Sequence, residues 1–245
     1  MATDSIEISQ QQAARVAGLG YLAIILLAVF AEFFVRTALF VPGDVTATVN
    51  NIMENDLLFR IGIISWIVVV ACDVVVTWAL YVLFKPVSHT IALLSSLFRL
   101  VYIAIKGAAL VYFLFALQLL SGADYLSVFE LGQLHAQVML YLGGHNYGFL
   151  IGLVFFGIHC FILGYLVYKS GFFPKVIGIL LMIACFGYLI DSFANFLMPN
   201  YASYQDMMLL VVAVPAFFAE ISFCIWLLFK NIDKKQNSYK LPCAA

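Results

Sequence analysis

Apolar positions dominate six stretches of this chain, near residues 14–40, 57–84, 90–120, 146–168, 175–198 and 204–229, with short polar interruptions between them. None of the six alternates polar with apolar residues as barrel strands must. A bilayer core offers no water to backbone groups, so only helices or closed barrels cross it. Each run is long enough to span the hydrocarbon as a helix, which takes about 20 residues. The pattern predicts an all-α polytopic membrane helix bundle, with about six transmembrane helices in a single integral membrane domain over residues 1–245 and short cytoplasmic tails.

Between the third and fourth runs, residues 121–145 are too polar to cross freely. Yet Leu126, Phe129, Leu134, Val138 and Leu140 or Tyr141 recur there at helical spacing. That spacing predicts an amphipathic helix over about 125–142, lying in the membrane interface and ended by the Gly143-Gly144 pair.

Composition agrees with the pattern. The chain is 65% hydrophobic and 10% charged, with a mean hydropathy of +1.06, whereas soluble domains carry about 25% charged residues. A net charge of −1 without a basic run argues against nucleic acid as a partner. The five cysteines (Cys72, Cys160, Cys185, Cys224, Cys243) show no CxxC spacing and read as small apolar residues, not as a disulfide framework or zinc site. The first twelve residues hold two acids and no Lys or Arg. They lack the basic segment of a cleaved signal peptide, so the run from Ala14 is expected to be a permanent helix.

Six crossings put both termini on one side. Arg15, Lys85, Lys169, Lys175, Lys230, Lys234, Lys235 and Lys240 fall on that side. The opposite connections carry Asp44, Glu54, Asp56, Asp124, Glu130 and Asp206, with Arg60 their one nearby cation. The positive-inside rule then predicts cytoplasmic N- and C-termini in a plasma or inner membrane.

Against this background the ionisable residues inside the runs stand out, because a charge in hydrocarbon costs roughly 2.5 to 3.5 kcal/mol even on insertion scales. They are Glu32, Arg36, Asp73, Arg99, Lys106, Asp191 and Glu220, joined by His159. The third run holds 17 Val, Ile, Leu and Phe residues between Thr90 and Leu120, worth roughly −8 kcal/mol, but Arg99 and Lys106 return roughly +6. That helix needs acidic partners from its neighbours. Asp73 and Glu220 are candidates for Arg99, and Asp191 for Lys106.

Counting 1.5 Å per residue along each helix sorts these groups by depth. Glu32, Arg36, Arg60, Lys106 and Asp191, with His145 and Asn146, form an outer, cation-rich layer. Asp73, Arg99, His159 and Glu220 lie nearer the middle. The outer set is the candidate ligand-binding group, and the middle set is the candidate proton-handling or structural group. Glu32 and Arg36, four apart in acid-first order, are also spaced to pair on one helix face.

Gly148 and Gly152 form a seam where another helix could approach closely, and His159 falls on the same face. No HExxH or other close pair of His ligands argues for metal. Gly-x-Ser-x-Gly is absent, and Ser95-Ser96 lacks a nearby base. Pro215 is placed to kink the sixth span. A short echo, Phe59-x-Ile61-Gly62 against Phe149-x-Ile151-Gly152, is open to reading as a parallel repeat or as two similar interfacial helix ends.

Several blocks together resemble an uncharacterised prokaryotic multi-pass membrane family, domain of unknown function 4386. They include Ala31-Glu32-Phe33-Phe34-Val35-Arg36, Val41-Pro42-Gly43-Asp44, Leu58-Phe59-Arg60-Ile61-Gly62, Leu97-Phe98-Arg99-Leu100, Tyr147-Gly148-Phe149-Leu150-Ile151-Gly152, Phe156-Gly157-Ile158-His159 and Gly187-Tyr188-Leu189-Ile190-Asp191. The resemblance runs from Gln12 to Phe229 and implies a multi-pass membrane protein without assigning an activity.

The expected function is binding or translocation of a small anionic or amphiphilic ligand in a charged intramembrane cavity. A membrane-embedded lipid-modifying enzyme and an accessory or assembly subunit with structural charge pairs are the alternatives. The implied partners are the lipid bilayer and a small anionic or amphiphilic ligand; the sequence leaves cofactors unknown and oligomerisation open.

Overall fold

The computed structural model describes residues 8–230, leaving aside a few side chains between 202 and 213; Lys234, Lys235, Lys240 and Cys243 lie outside the described residues. Eight α-helices follow in order: α1 (Gln10–Val29), α2 (Thr37–Leu39), α3 (Val45–Glu54), α4 (Asp56–Phe84), α5 (His89–Leu119), α6 (Leu131–Lys169), α7 (Lys175–Leu197) and α8 (Gln205–Phe229). A π-helical segment, Phe30–Arg36, joins α1 to α2. Six of the resulting helical stretches are long and apolar enough to cross a membrane, as the hydropathy pattern predicts.

Two elements depart from that pattern. The helix expected over 125–142 is not a separate interfacial element. After a short 3-10 turn (Asp124–Val128), the chain enters one 39-residue helix, α6, that runs through Gly143-Gly144 without a break. Glycine lowers helix propensity by about 1 kcal/mol, too little to stop a helix flanked on both sides by strong formers. At ~58 Å long by its rise per residue, α6 exceeds a ~30 Å hydrocarbon core. The second departure is α3, in a connection where no apolar run predicts a helix. Asp44 caps it by accepting the Ala47 N–H at 2.8 Å, and it buries Thr48, Val49 and Ile52.

The chain divides into two compact units. One comprises Ala23–Asp73 and Val101–Leu153. Its core gathers Val35, Leu39, Val49, Ile52, Phe59, Phe113, Val138 and Leu142 from six elements. Close approach depends on small residues: a Cβ added at Gly62 would lie 2.8 Å from the Val35 side chain, and one at Gly148 would lie 2.8 Å from the Ala109 Cβ. The seam expected at Gly148 and Gly152 thus packs against α5.

The other unit comprises Met1–Leu22, Val74–Leu100 and Val154–Ala245. Here α6 and α7 touch backbone to backbone, since a Cβ on either Gly164 or Gly178 would meet the other's carbonyl oxygen at 2.6 Å. The turn between them needs Gly171 at φ +72°, a conformation that glycine alone adopts freely. Phe172 and Phe173 leave that turn to stack on Phe84 at centroid distances of 6.0 and 5.8 Å, and Trp226 Nε1–H donates to the Phe172 carbonyl.

Candidate functional site

Arg99 sits at the centre of the second unit's polar chemistry. It projects from α5 and is 1% exposed. Its Nη1 donates to the Tyr21 hydroxyl at 2.5 Å and contacts His159 Nε2 at 3.2 Å. The guanidinium carbon lies 4.9 Å from the Tyr21 ring centroid and 5.5 Å from that of Phe156, so aromatic faces cover what the hydrogen bonds do not. Behind this shell the Tyr188 hydroxyl donates to Glu220 Oε1 at 2.7 Å. Tyr21 also packs edge-on against Phe223.

The histidine's protonation follows from its neighbours. A guanidinium has donors and no acceptor, so Nε2 of His159 accepts from Arg99. The proton of the neutral ring is therefore on Nδ1, which lies 2.9 Å from the Ser95 carbonyl and 2.9 Å from Ser95 Oγ. Both oxygens accept from it. This leaves the Ser95 O–H free to act as a donor elsewhere.

Ser95 and His159 also line a narrow crevice of about 10 Å³. Thr77, Tyr81 and Ser96 also line it, with Leu80, Phe84, Leu163 and Leu166. The Tyr81 hydroxyl pairs with His89 Nε2 at 2.9 Å.

A second buried charge cluster belongs to the other unit. Lys106 is 4% exposed and Asp73 2% exposed, with Nζ 3.7 Å from the Asp73 carboxylate. Nζ donates to the Tyr102 hydroxyl at 2.9 Å. It also stands over the Trp66 and Tyr102 rings, at 4.7 and 5.2 Å from their centroids.

The remaining expected site residues are placed as follows. Glu32 and Arg36 pair within the π-helical segment at 2.5 Å, both about half exposed. Arg60 pairs with Asp56 at 2.7 Å and is exposed as well. His145 stacks on Phe113 with centroids 3.7 Å apart, and Asn146 beside it is exposed. Asp191 accepts from the Tyr201 hydroxyl at 2.5 Å; burial, reinforced by this carboxylate, pushes the Tyr201 phenol up to about 12. Among the described residues no three His, Cys, Asp or Glu side chains converge as a metal ion would require.

Three expectations are corrected by this geometry. Asp73 meets Lys106, the cation for which Asp191 was the candidate. The pair also joins the two expected depth layers, because counting rise from helix ends assumes ends that are flush, and α6 shows that they are not. Finally, Ser95 does have a base beside it, His159, from 64 residues away. Sequence reasoning set Ser95 aside and passed over Tyr21, Thr77, Trp66 and Tyr102. For Ser95 a signal existed, since it lies four residues before Arg99 and therefore on its helix face.

Comparison with known proteins agrees with this architecture and adds no activity. A family model described as "Domain of unknown function (DUF4386)" matches residues 16–231. An uncharacterized protein of Archaeoglobus fulgidus is 36% identical over 170 residues, covering 69% of this chain and 83% of that protein. No solved structure matches. The chain, a multi-pass membrane protein with six long apolar helices, belongs to the family of domain of unknown function DUF4386.

Proposed function

We propose that the protein binds or translocates a small anionic or amphiphilic ligand within the membrane, and that the ligand's polar end enters the crevice at Ser95 and His159. The observation that carries this reading is the composition of the crevice wall. Thr77, Tyr81, Ser95, Ser96 and His159 line the space together with Leu80, Phe84, Leu163 and Leu166. Binding sites of this kind are mostly apolar with a few placed polar groups. Arg99, directly behind His159, supplies the positive field that favours an anionic head.

A lipid-hydrolysing reading would make Ser95 the nucleophile and His159 its base. Arg99 opposes it, because the base would have to take a proton at a ring already receiving an arginine hydrogen bond. The outer cations Arg36 and Arg60, each already paired on its own helix, serve in this account as attraction for an approaching anion. Lysines at the helix ends, Lys85, Lys169, Lys175 and Lys230, support cytoplasmic termini in a plasma or inner membrane.

The test is thermal unfolding of the purified protein in detergent with decanoate, and with decanol as its neutral analogue. A saturable rise in melting temperature with decanoate alone, lost in Ser95→Ala and Thr77→Val, is expected. Equal responses to the two compounds, or no response, would overturn the reading.

A further inference from the structure

The carboxylate of Glu220 belongs to the polar interior built around Arg99. Tyr188 donates its hydroxyl to Glu220 Oε1 at 2.7 Å, and the Tyr188 ring meets Phe156, whose own face lies against the Arg99 guanidinium. From α1, Tyr21 bonds to Arg99 and packs on Phe223, one turn along α8 from Glu220. The Tyr21 phenol and the Cys160 thiol each lie within electrostatic reach of both Arg99 and Glu220. Phenols and thiols ordinarily lose their protons only above about pH 8, and His159 is neutral while its Nε2 accepts from Arg99. Among these described groups Arg99 is therefore the cation and Glu220 the anion.

This balance bears on the crevice. An ionised Glu220 opposes the field that Arg99 projects towards Ser95 and His159, and an anion there is drawn the less. A guanidinium keeps its proton, and a proton added to His159 Nε2 would face that guanidinium, so the balance changes most readily at the carboxylate. We infer that Glu220 is a proton-binding site coupled to the crevice: an anion at Ser95 and His159 and a proton on Glu220 bind together, a coupling that rests on the crevice reading. The proton passes from solvent to a Glu220 carboxylate oxygen as the anion arrives, and the summed charge of the interior is unchanged. By linkage each ligand strengthens the other equally.

Calorimetric titration of the purified protein in detergent with decanoate, run in two buffers of different ionisation enthalpy with empty micelles as the blank, counts the protons taken up. At neutral pH the wild type is expected to take up more protons per decanoate bound than Glu220→Gln, which keeps an acceptor for Tyr188 without the charge. Glu220→Gln is also expected to bind decanoate more tightly, by roughly 5- to 150-fold, with an affinity that holds as pH rises while that of the wild type falls. Equal proton uptake and equal affinity in the two proteins overturn the coupling and leave the crevice reading standing. Absence of binding in both overturns the crevice reading, and the coupling with it. Should Glu220→Gln yield no folded protein, Tyr188→Phe decides. It removes a hydrogen bond that favours the ionised carboxylate, so the pH at which decanoate affinity declines is expected to rise; an unmoved profile refutes the coupling.

Discussion

The guanidinium of Arg99 donates to Nε2 of His159 across 3.2 Å, and this contact dictates where the histidine keeps its proton. Two residues that sequence spacing places on separate helices become one unit, in which the arginine sets the tautomer and the tautomer ties α6 to the Ser95 carbonyl of α5. Nitrogen-15 NMR of labelled protein at neutral pH is expected to show His159 as the Nδ1–H form. An Nε2–H form would mean that Arg99 does not donate to it.

Removing partners from this unit should cost stability in proportion to what is left buried. Tyr21→Phe keeps the ring over the guanidinium and deletes the acceptor, for an expected loss of about 1.5 to 3 kcal/mol, the range for hydrogen bonds to charged groups. Tyr21→Ala removes both and should cost more. Reversible unfolding in mixed micelles measures the difference; equal losses would show that the ring contributes nothing.

Buried and exposed pairs should separate sharply. Arg36→Gln breaks a half-exposed pair one turn apart, worth about 0.3 to 0.5 kcal/mol. Lys106→Ala removes the ammonium beside the buried Asp73 carboxylate, and breaking a buried pair by removing one member costs about 3 to 5 kcal/mol. The same unfolding assay reads both, and comparable losses would contradict the assignment of Lys106 as a buried cation.

The continuity of α6 is testable with single methyl groups. Gly143 sits inside the helix with no atom within 4 Å of an added Cβ, so Gly143→Ala should stabilise by about 0.5 to 1 kcal/mol. Gly164→Ala drives a Cβ to 2.6 Å from the Gly178 carbonyl oxygen and should destabilise by at least about 1 to 3 kcal/mol. A destabilising Gly143→Ala would indicate that the helix ends there after all.

These contrasts mark what was legible in the sequence. The six crossings could be read because long apolar runs have one structural solution in a bilayer. The buried charges could be read as needing partners because hydrocarbon penalises them singly. Which partner each charge takes was not legible. Asp73 and Lys106 meet through the offset of α4 against α5, which one-dimensional depth does not encode, and Ser95 reaches His159 only through the packing of α5 against α6. The Gly143-Gly144 pair misled for the opposite reason: a local preference was weaker than the helix on either side of it.

The central claim, that the crevice at Ser95 and His159 receives a ligand's polar end, is tested most directly by placing a reporter in its wall. Thr77→Cys, in a background lacking the five native cysteines, is labelled with a small thiol reagent in the presence and absence of decanoate. The account predicts that Thr77→Cys reacts and that decanoate, but not decanol, slows the reaction in a saturable manner. A thiol that never reacts, or one whose labelling rate ignores decanoate, would contradict it.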